Sequence, residues 1–348
     1  MASIGIAGAG LVGRLFAWAL SRAGHAVSVL DAGPGAAPRF DGHGAAAFSA
    51  AGLLSPLAEL DAADPAVAVL GWDSLRLWPG IAACLGAPDL LRAEGSLLLA
   101  HRQDLGAAER VLARLHAQGG AVAQPLSEAQ LVALEPALLR GQRAWLLPGE
   151  GFVHPVDAMA ALHLGAVGVD WHWGRAVAEV QPGALTLATG ETLPFDVVID
   201  ARGLGSRPTL PLRGVRGEII TLSLARHGLR RPLRLLHPRH RVYLLPRTAD
   251  QLVLGASEIE SEDRSPVSLQ SAVELMAAAH SVMPTLAEAR IERLDVNLRP
   301  ALPDNRPLAH HQPGLLRLAG LYRHGWLLAP ALVQRLLLAS GLGTLETP

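Results

Sequence analysis

Three glycines near the amino terminus have the spacing of a turn that binds a dinucleotide. Gly8, Gly10 and Gly13 follow an apolar run that predicts a buried strand at residues 3–7, and they open a segment with helical apolar spacing. In such a turn the first glycine permits the tight bend, the second lets a pyrophosphate approach the backbone, and the third lets helix and strand pack closely. Asp31 ends the next predicted strand, where a carboxylate accepts hydrogen bonds from ribose hydroxyls. The motif does not distinguish NAD from FAD, and the alternative is a packing turn beside a surface aspartate.

Two arginines have the chemistry to bind a carboxylate. Arg323 lies in the otherwise apolar run AGLYRHGWLLAPAL, and Arg299 lies in LRPALPD. A guanidinium group is planar and always charged, so it can hold a carboxylate through two parallel hydrogen bonds. Tyr243, one of two tyrosines in the chain, offers a hydroxyl donor. A surface or structural ion pair is the more frequent role of a single arginine, but a charge among apolar residues needs a partner. We therefore predict that Arg323 lines a pocket.

The composition indicates a chain with a large core and little net charge. Half of the 348 residues are hydrophobic, and the net charge of −1 at pH 7 argues against a general binder of polyanions. All 30 basic residues are arginine, so neither a lysine Schiff base nor a lysine general base is available. Cys84 is the single cysteine, which excludes an intrachain disulfide and a cysteine-based zinc site.

The expected location is the cytoplasm, and no metal site is predicted. A single cysteine suits a reducing compartment, and the apolar stretches have the features of neither a signal peptide nor a transmembrane segment. The pairs His237-x-x-His240 and His310-His311 have no carboxylate or cysteine partners at the spacing of a known metal site.

The order of strands and helices predicts two interleaved domains. Residues 3–31 have the pattern of a strand, a helix and a second strand. Further strands are predicted at residues 94–101, 195–200, 215–224, 241–246 and 251–256, and a terminal helix has Pro330 in its first turn and Gly341 at its end. These elements favour a nucleotide-binding domain formed from separate parts of the chain and a sheet-rich domain formed from the remainder.

Several ordered blocks extend these motifs over nearly the whole chain. They are GAGLVG (8–13), SAAGLLSP (49–56), LEPAL (134–138), GEGFVHP (149–155), IDARGLGS (199–206), VRGEI (215–219), VYLLPR (242–247), LVLGASE (252–258), LRPALPDNRP (298–307) and LYRHGWLLAP (321–330). In this order the blocks resemble the D-amino acid oxidase superfamily of FAD-dependent oxidoreductases, and within it the glycine oxidases of thiamine biosynthesis. The resemblance implies an α/β fold. Its Rossmann-like FAD-binding domain of the glutathione-reductase type (1–80, 145–212 and 292–348) is interleaved with a sheet-rich α+β substrate domain (81–144 and 213–291).

The resemblance also implies where a non-covalently bound FAD and a substrate would lie. Cys84 does not match the cysteine that tethers the flavin in sarcosine-oxidase-like relatives. Arg299 and Tyr243 match the residues that hold the substrate carboxylate, and Arg323 matches an arginine beside the flavin and the substrate amine. The residues expected to bind the cofactor are Gly8, Gly10, Leu11, Val12, Gly13, Asp31, Ala51, Gly52, Leu53, Val177, Gly203, Gly205, His324, Gly325, Trp326 and Leu327.

The implied reaction is the oxidation of a small amino acid such as glycine, sarcosine or a short D-amino acid. Its Cα hydrogen passes as hydride to flavin N5, which leaves an imine, and oxygen then yields hydrogen peroxide. The imine of glycine would serve thiazole synthesis for thiamine. No side chain is predicted to act as a general base. Two departures from the family pattern, Leu321 for a histidine and His324 for an asparagine, bear on substrate specificity.

Other activities stay open at this point. A D-amino acid dehydrogenase would pass the electrons to a quinone instead of oxygen. A flavin-dependent tRNA-modification module would use the basic stretch at residues 225–247, although no stacking aromatics interleave with its arginines and we expect no nucleic-acid partner. A flavin hydroxylase is less favoured because the chain has PDNRP and no GDAAH-like block. The sequence also leaves open whether the protein forms a homo-oligomer.

Overall fold

The computed structural model describes residues 1–60, 64–101, 104–117, 123–236 and 241–345. Its strands are β1 (Ser3–Ala7), β2 (Ala26–Asp31), β3 (Leu53–Leu54), β4 (Leu91–Arg92), β5 (Ser96–Ala100), β6 (Gln124–Leu126), β7 (Arg143–Leu147), β8 (Gly151–Val153), β9 (Asp170–Trp173), β10 (Val177–Gln181), β11 (Ala184–Leu187), β12 (Thr192–Pro194), β13 (Val197–Asp200), β14 (Arg213–Ser223), β15 (Leu233–Leu236), β16 (Arg241–Pro246), β17 (Gln251–Gly255), β18 (Arg290–Ala301), β19 (Leu308–Gln312) and β20 (Leu315–Ala319). Its helices are α1 (Leu11–Arg22), α2 (Pro56–Glu59), α3 (Pro65–Cys84), α4 (Leu105–Ala117), α5 (Glu128–Leu134), α6 (Pro155–Gly165), α7 (Leu269–Val282) and α8 (Gly325–Ser340).

A six-stranded sheet carries the nucleotide-binding motif. Its strand order is β19-β20-β13-β1-β2-β9, and all neighbours run parallel except β19 and β20. The adjacent residues Ile6 and Ala7 of β1 point to opposite faces and are both fully buried, as expected for a central strand covered on both faces. The predicted unit of strand, helix and strand is confirmed as β1, α1 and β2. Because the chain leaves β1 toward β2 on one side while β13 pairs on the other, a crevice forms beyond the carboxyl end of β1, the usual place for a ligand in such a sheet.

The terminal helix α8 begins earlier than the sequence predicted. It starts at Gly325, so Pro330 lies in its second turn and not in its first. Its end at Gly341 is confirmed, since that residue adopts the left-handed conformation (φ 68°) that glycine tolerates at a helix end.

A proline inside a helix leaves one carbonyl without a donor, and helix α3 supplies the replacement. Pro330 has no N–H to give to the carbonyl of Trp326, four residues earlier. The indole Nε1 of Trp78 donates to that carbonyl at 3.4 Å, and the amide of Ala331 donates to the hydroxyl of Ser74 at 3.1 Å. Two side chains of α3 therefore complete the hydrogen bonding of α8 and fix its position.

An eight-stranded sheet forms the second layer of the molecule. Its order is β18-β14-β17-β16-β15-β5-β7-β6, and its neighbours are antiparallel except for β15 and β5. One face packs Ile220, Leu244 and Leu254 against the apolar side of α7. Since side chains alternate along a strand, the residues between them, such as Tyr243, point to the opposite face.

The division into two domains stays a prediction, but the strand pairing refines its boundaries. β18 pairs with β14 along its length, so the expected boundary at residue 292 lies inside a strand of the eight-stranded sheet. The boundary at 145 likewise lies inside β7 of that sheet. A division that follows the sheets would lie after residues 147 and 301. Within the described ranges, no helix combines the length and the apolar character that crossing a membrane requires.

Candidate cofactor and substrate site

A cavity of about 1400 Å³ lies between the six-stranded sheet and the free face of the eight-stranded sheet. Its walls include the turn after β1, the loop that precedes β3, the turn after β13 and the start of α8. Sites for drug-sized ligands measure ~300–1000 Å³. The cavity is therefore large enough for a dinucleotide and a small second ligand together.

The glycine turn after β1 has the geometry that a pyrophosphate requires. Gly8 has φ +100°, and a Cβ on it would lie 2.6 Å from the carbonyl oxygen of Ala201, so the tight bend admits only glycine. A Cβ on Gly13 would overlap the Gly8 carbonyl, which fits its predicted packing role. A Cβ on Gly10 would meet nothing closer than the Ala45 Cβ at 3.9 Å. A ligand phosphate can thus approach the backbone at Gly10, where α1 begins and its amides are free.

Asp31 lies at the end of β2 and lines the cavity. One carboxylate oxygen accepts a hydrogen bond from the Ala9 amide and the other accepts one from the Gly33 amide, both at 2.6 Å. These bonds attach the end of β2 to the glycine turn. Each oxygen keeps further acceptor capacity, which a ribose hydroxyl can use.

Arg14 is a buried cation beneath this turn that the sequence analysis missed. It is 1% exposed, and its guanidinium group donates to the carbonyls of Ala9, Ala36 and Met159 at 2.7–2.9 Å. Burial lowers the pKa of Arg14 to about 10, so the side chain remains charged at neutral pH. Its position in a helix of otherwise apolar residues was the available signal. Arg14 fixes the backbone of the turn and adds positive charge beside it.

Arg247 stabilises the loop of small residues before β3 through hydrogen bonds to backbone carbonyls. Gly52 has φ +81°, and a Cβ on it would overlap the Val153 carbonyl. Arg247 donates to the carbonyl of Ala51 at 2.9 Å and to that of Val153 at 3.3 Å. These contacts give Arg247 a structural role in the loop. Ala51, Gly52 and Leu53 line the cavity, as a flavin-contact loop would.

The amino-terminal end of α8 faces the cavity. A Cβ on Gly325 would meet no atom within 4 Å, so ligand atoms can approach the first free amides of the helix. Trp326 packs on Trp78 with ring centroids 5.8 Å apart, and its indole donates to the Ala47 carbonyl at 3.1 Å. Burial lowers the pKa of His324 to about 4, which keeps its imidazole neutral at pH 7.

Tyr243 and Arg299 lie on the cavity face of the eight-stranded sheet, and each is seated against a glycine. A Cβ on Gly255 would lie 2.5 Å from the Tyr243 hydroxyl, and one on Gly217 would overlap the Arg299 guanidinium group. Arg299 donates to the carbonyls of Arg216 at 3.2 Å and Ser257 at 3.0 Å. Among the described residues, no carboxylate lies within ion-pair distance of Arg299. Its charge is thus available to a ligand.

Arg323 also lines the cavity, but its guanidinium group is paired with two glutamates. Nη2 lies 2.6 Å from Glu59 Oε2 and Nη1 lies 3.0 Å from Glu258 Oε2. Glu59 is also paired with Arg234, and the Tyr322 hydroxyl donates to Glu258. The partner that a buried Arg323 requires is therefore a pair of protein carboxylates.

The charges around Glu59 explain why it stays ionised although it is buried. Burial alone raises the pKa of a carboxyl group, but the charges of Arg234 and Arg323 reverse this and hold the pKa of Glu59 far below its usual value. The sequence analysis named none of Glu59, Arg234 and Glu258. Glu59 follows the SAAGLLSP block by three residues, and a single acid at the end of an apolar run was its only local signal.

The predicted site residues come together with two exceptions. Those lining the cavity are Gly8, Gly10, Leu11, Val12, Asp31, Ala51, Gly52, Leu53, Gly203, Gly205, Tyr243, Arg299, Arg323, His324, Gly325, Trp326 and Leu327. Gly13 packs below the turn, and Val177 begins β10 outside the lining, where its carbonyl accepts a hydrogen bond from Arg202 at 2.9 Å. Cys84 is exposed at the end of α3. His310 and His311 are exposed on β19, and His237 and His240 lie outside the described residues.

Comparisons with known proteins agree with this architecture. A family model described as FAD dependent oxidoreductase (DAO) matches residues 3–336. A Rhizobium etli protein that carries the name thiamine biosynthesis oxidoreductase ThiO is 35% identical over 329 residues, which cover 93% of this chain and 92% of that protein. The glycine oxidase of Geobacillus kaustophilus is 27% identical over 357 residues, covering 94% of this chain and 89% of that one. The crystal structure of glycine oxidase from Geobacillus kaustophilus has the same fold, with a TM-score of 0.82 at 24% identity over 98% of this chain and 94% of that chain.

Proposed function

The chain belongs to the DAO family of FAD-dependent oxidoreductases, and from this membership we propose that it oxidises the amine of a small amino acid such as glycine, sarcosine or a short D-amino acid. The observation that carries the proposal is the unpaired guanidinium group of Arg299 beside Tyr243, in the same cavity as the dinucleotide turn. A partly buried cation with only carbonyl partners favours an anionic ligand. The carboxylate of an amino acid supplies that charge in a form that matches the guanidinium plane.

The residues around the cavity fit FAD. The open face of Gly10 and the first amides of α1 would take the diphosphate, Asp31 would take a ribose hydroxyl, and the loop at Ala51–Leu53 with the start of α8 would enclose the ring system. When bound, FAD supplies a two-electron acceptor for the Cα–H bond of the substrate. The free amides of α8 would favour negative charge at their end of the cavity, an effect of about 1 kcal/mol.

The side chains of the site bind and orient the substrate. Arg299 would hold the carboxylate through two parallel hydrogen bonds, and the Tyr243 hydroxyl would donate a third. Burial raises the pKa of Tyr243, so it remains a donor across the neutral range. We assign no general base, because the amine reacts in its neutral form and loses its proton to water before the reaction.

An anaerobic absorbance titration of the purified protein with glycine, sarcosine and D-alanine tests this proposal. We expect one of them to bleach the flavin band and peroxide to form when air is readmitted. A flavin spectrum that none of the three reduces would overturn the proposal.

The electron acceptor and the use of the product are part of the same proposal. Oxygen is the acceptor we favour, because the glycine oxidases among the relatives carry that name, and the imine of glycine would then supply thiazole synthesis, in line with the name of the Rhizobium etli relative. A quinone-linked dehydrogenase is the alternative, and bleaching without rapid reoxidation by air would identify it. A cytoplasmic location, which the single cysteine favours, also remains proposed.

Three described arginines of the stretch at residues 225–247 are engaged inside the protein, which argues against an RNA-binding module. Arg231 is paired with Glu135, Arg234 with Glu59, and Arg247 donates to the Ala51 carbonyl in the loop before β3. Cations that are engaged inside the protein cannot also neutralise phosphates. Binding of RNA with a steep dependence on salt would reverse this conclusion.

A further inference from the structure

Four charged residues form a second charged group in the cavity, next to the proposed carboxylate site. Glu59, Arg234, Glu258 and Arg323, here called the arginine–glutamate cluster, all line the cavity. Glu59 bridges the two arginines: its Oε1 is paired with Arg234 Nη2 and its Oε2 lies 2.6 Å from Arg323 Nη2. Glu258 holds the other terminal nitrogen of Arg323 at 3.0 Å.

The cluster adjoins the carboxylate site directly. Arg234 and Tyr243 are paired residues on the neighbouring strands β15 and β16. The next strand, β17, leads within three residues from Gly255, which seats Tyr243, to Glu258. If Arg299 and Tyr243 hold the carboxylate of a substrate amino acid, the side chain of that amino acid would therefore lie within reach of either the cluster or the flavin.

The cluster and Arg299 together carry one net positive charge, which a single substrate carboxylate would neutralise. The two glutamates of the cluster neutralise its two arginines. Of Arg234, Arg299 and Arg323, Arg299 is the one without a carboxylate partner among the described residues. A second carboxylate on the substrate could not pair with Arg234 and Arg323, because both are already paired with glutamates. It would also lie beside the negative charge of Glu59. Repulsion between like charges in a poorly solvated site costs far more than in water.

We propose that the arginine–glutamate cluster restricts the enzyme to amino acids with a single carboxylate, and that Glu59 is the residue that determines this specificity. The inference rests on the proposed function and deepens it, since it names the class of substrate. It assigns Glu59 no part in the chemical step.

Glu59 rather than Glu258 is the deciding residue because it is buried and its position is fixed. The side chain of Glu59 is 9% exposed and that of Glu258 is 47% exposed. Glu59 ends the short helix α2, whose Leu57 and Ala58 amides donate to the buried carboxyl group of Glu150 at 2.7 and 3.1 Å. Ser96 of β5 donates to the other oxygen of Glu150. Glu59 thus approaches the arginines from a firmly attached helix end.

The test compares two pairs of ligands that differ by one carboxylate. Kinetics with D-alanine and D-aspartate give the ratio of kcat/KM values, and flavin absorbance shifts with acetate and malonate give a ratio of dissociation constants without turnover. In the holoenzyme of Glu59→Gln, which keeps the shape of the side chain, both ratios should shift about tenfold toward the dicarboxylate. The reason is that Arg234 loses its one carboxylate partner among the described residues and Arg323 loses one of two. Glu191→Gln is the matched control. Glu191 lies between β11 and β12, forms an exposed ion pair with Arg175 and does not line the cavity.

Each outcome decides the proposal. Unchanged ratios in a flavin-loaded Glu59→Gln protein would overturn it. If that variant fails to retain FAD, Glu258→Gln, which removes one of the two carboxylates paired with Arg323, decides by the same ratios, with a smaller shift expected. The acetate and malonate measurements need no oxidation, so they test the cluster even if no amino acid reduces the flavin and the proposed function fails.

Discussion

The hydroxyl group of Tyr243 occupies the space that a side chain on Gly255 would fill. The two residues are paired across β16 and β17, and a Cβ at position 255 would lie 2.5 Å from the phenol oxygen. A glycine on one strand therefore determines where the hydroxyl of the next strand can lie. The proposed carboxylate site depends on the absence of a side chain at Gly255 as much as on the tyrosine itself.

Replacing Gly255 by alanine should displace the Tyr243 hydroxyl and weaken substrate binding. We expect KM for the amino acid to rise about tenfold, the worth of one hydrogen bond to a charged group, with a smaller change in kcat. Steady-state kinetics check this. Gly106→Ala in α4, where the added Cβ meets only the end of the Arg110 side chain at 3.7 Å, is the control. An unaltered KM in a folded Gly255→Ala protein would contradict the seating argument.

Replacing Arg299 by alanine should remove the main partner of the substrate carboxylate. Loss of this charge-assisted pair should cost about 3 kcal/mol in transition-state binding, a fall of about a hundredfold in kcat/KM. Arg299→Lys should recover only part of the activity because a lysine cannot form two parallel bonds. Arg175→Ala, which removes an exposed ion pair, should leave kcat/KM unchanged. Normal kinetics in Arg299→Ala would show that Arg299 does not bind the substrate carboxylate.

Two glycines of the turn after β1 should respond differently to alanine. Gly10→Ala adds a methyl group that projects into the cavity, so FAD affinity should fall about tenfold. Because Gly10 is the N-cap of α1, the unfolding free energy of the apoprotein should fall by only about 0.5–1 kcal/mol. Gly13→Ala adds one that overlaps the Gly8 carbonyl, so the apoprotein itself should be destabilised. Flavin fluorescence titrations and denaturant unfolding separate the two effects. Equal effects on the apoprotein would refute the distinction.

His324 should make the stability of the protein depend on pH below neutrality. Burial lowers its pKa from 6.5 to about 4. Between these values the unfolded state binds the extra proton, so the free energy of unfolding falls as the pH falls through this window. In His324→Asn the slope of unfolding free energy against pH should decrease by up to about 1.4 kcal/mol per pH unit in the same window. Above pH 7 the two slopes should agree, and identical slopes below it would show that His324 is not buried in neutral form.

Local patterns in the sequence were sufficient to predict the glycine turn after β1. The spacing of Gly8, Gly10 and Gly13 carries its own geometry, because the turn, the helix start and the close packing are all formed within a few residues. Helix α8, with Gly325 near its start, could also be predicted from the residues of that segment alone. Its start was predicted too late because Pro330 resembles a first-turn proline, and the side chains of α3 that tolerate it are distant in sequence.

The other half of the site depends on contacts that no local pattern contains. Glu59 and Arg323 are 264 residues apart, and Gly217 and Gly255 seat side chains of other strands. Strand register decides which residues meet across a sheet, and it becomes visible only when the sheet is assembled. The resemblance to a family located Arg299 and Arg323, but the neutralisation of Arg323 follows from the three-dimensional arrangement alone.

The hydrogen bonds from α3 to α8 also set how the cavity can move. A regular helix can slide or rotate by small steps because each of its backbone bonds is internal. Around Pro330 this freedom is reduced, since the side chains of Trp78 and Ser74 form hydrogen bonds with a carbonyl and an amide of α8. We therefore expect the two helices to move together, and opening of the cavity to come mainly from the loops and the eight-stranded sheet on its other side.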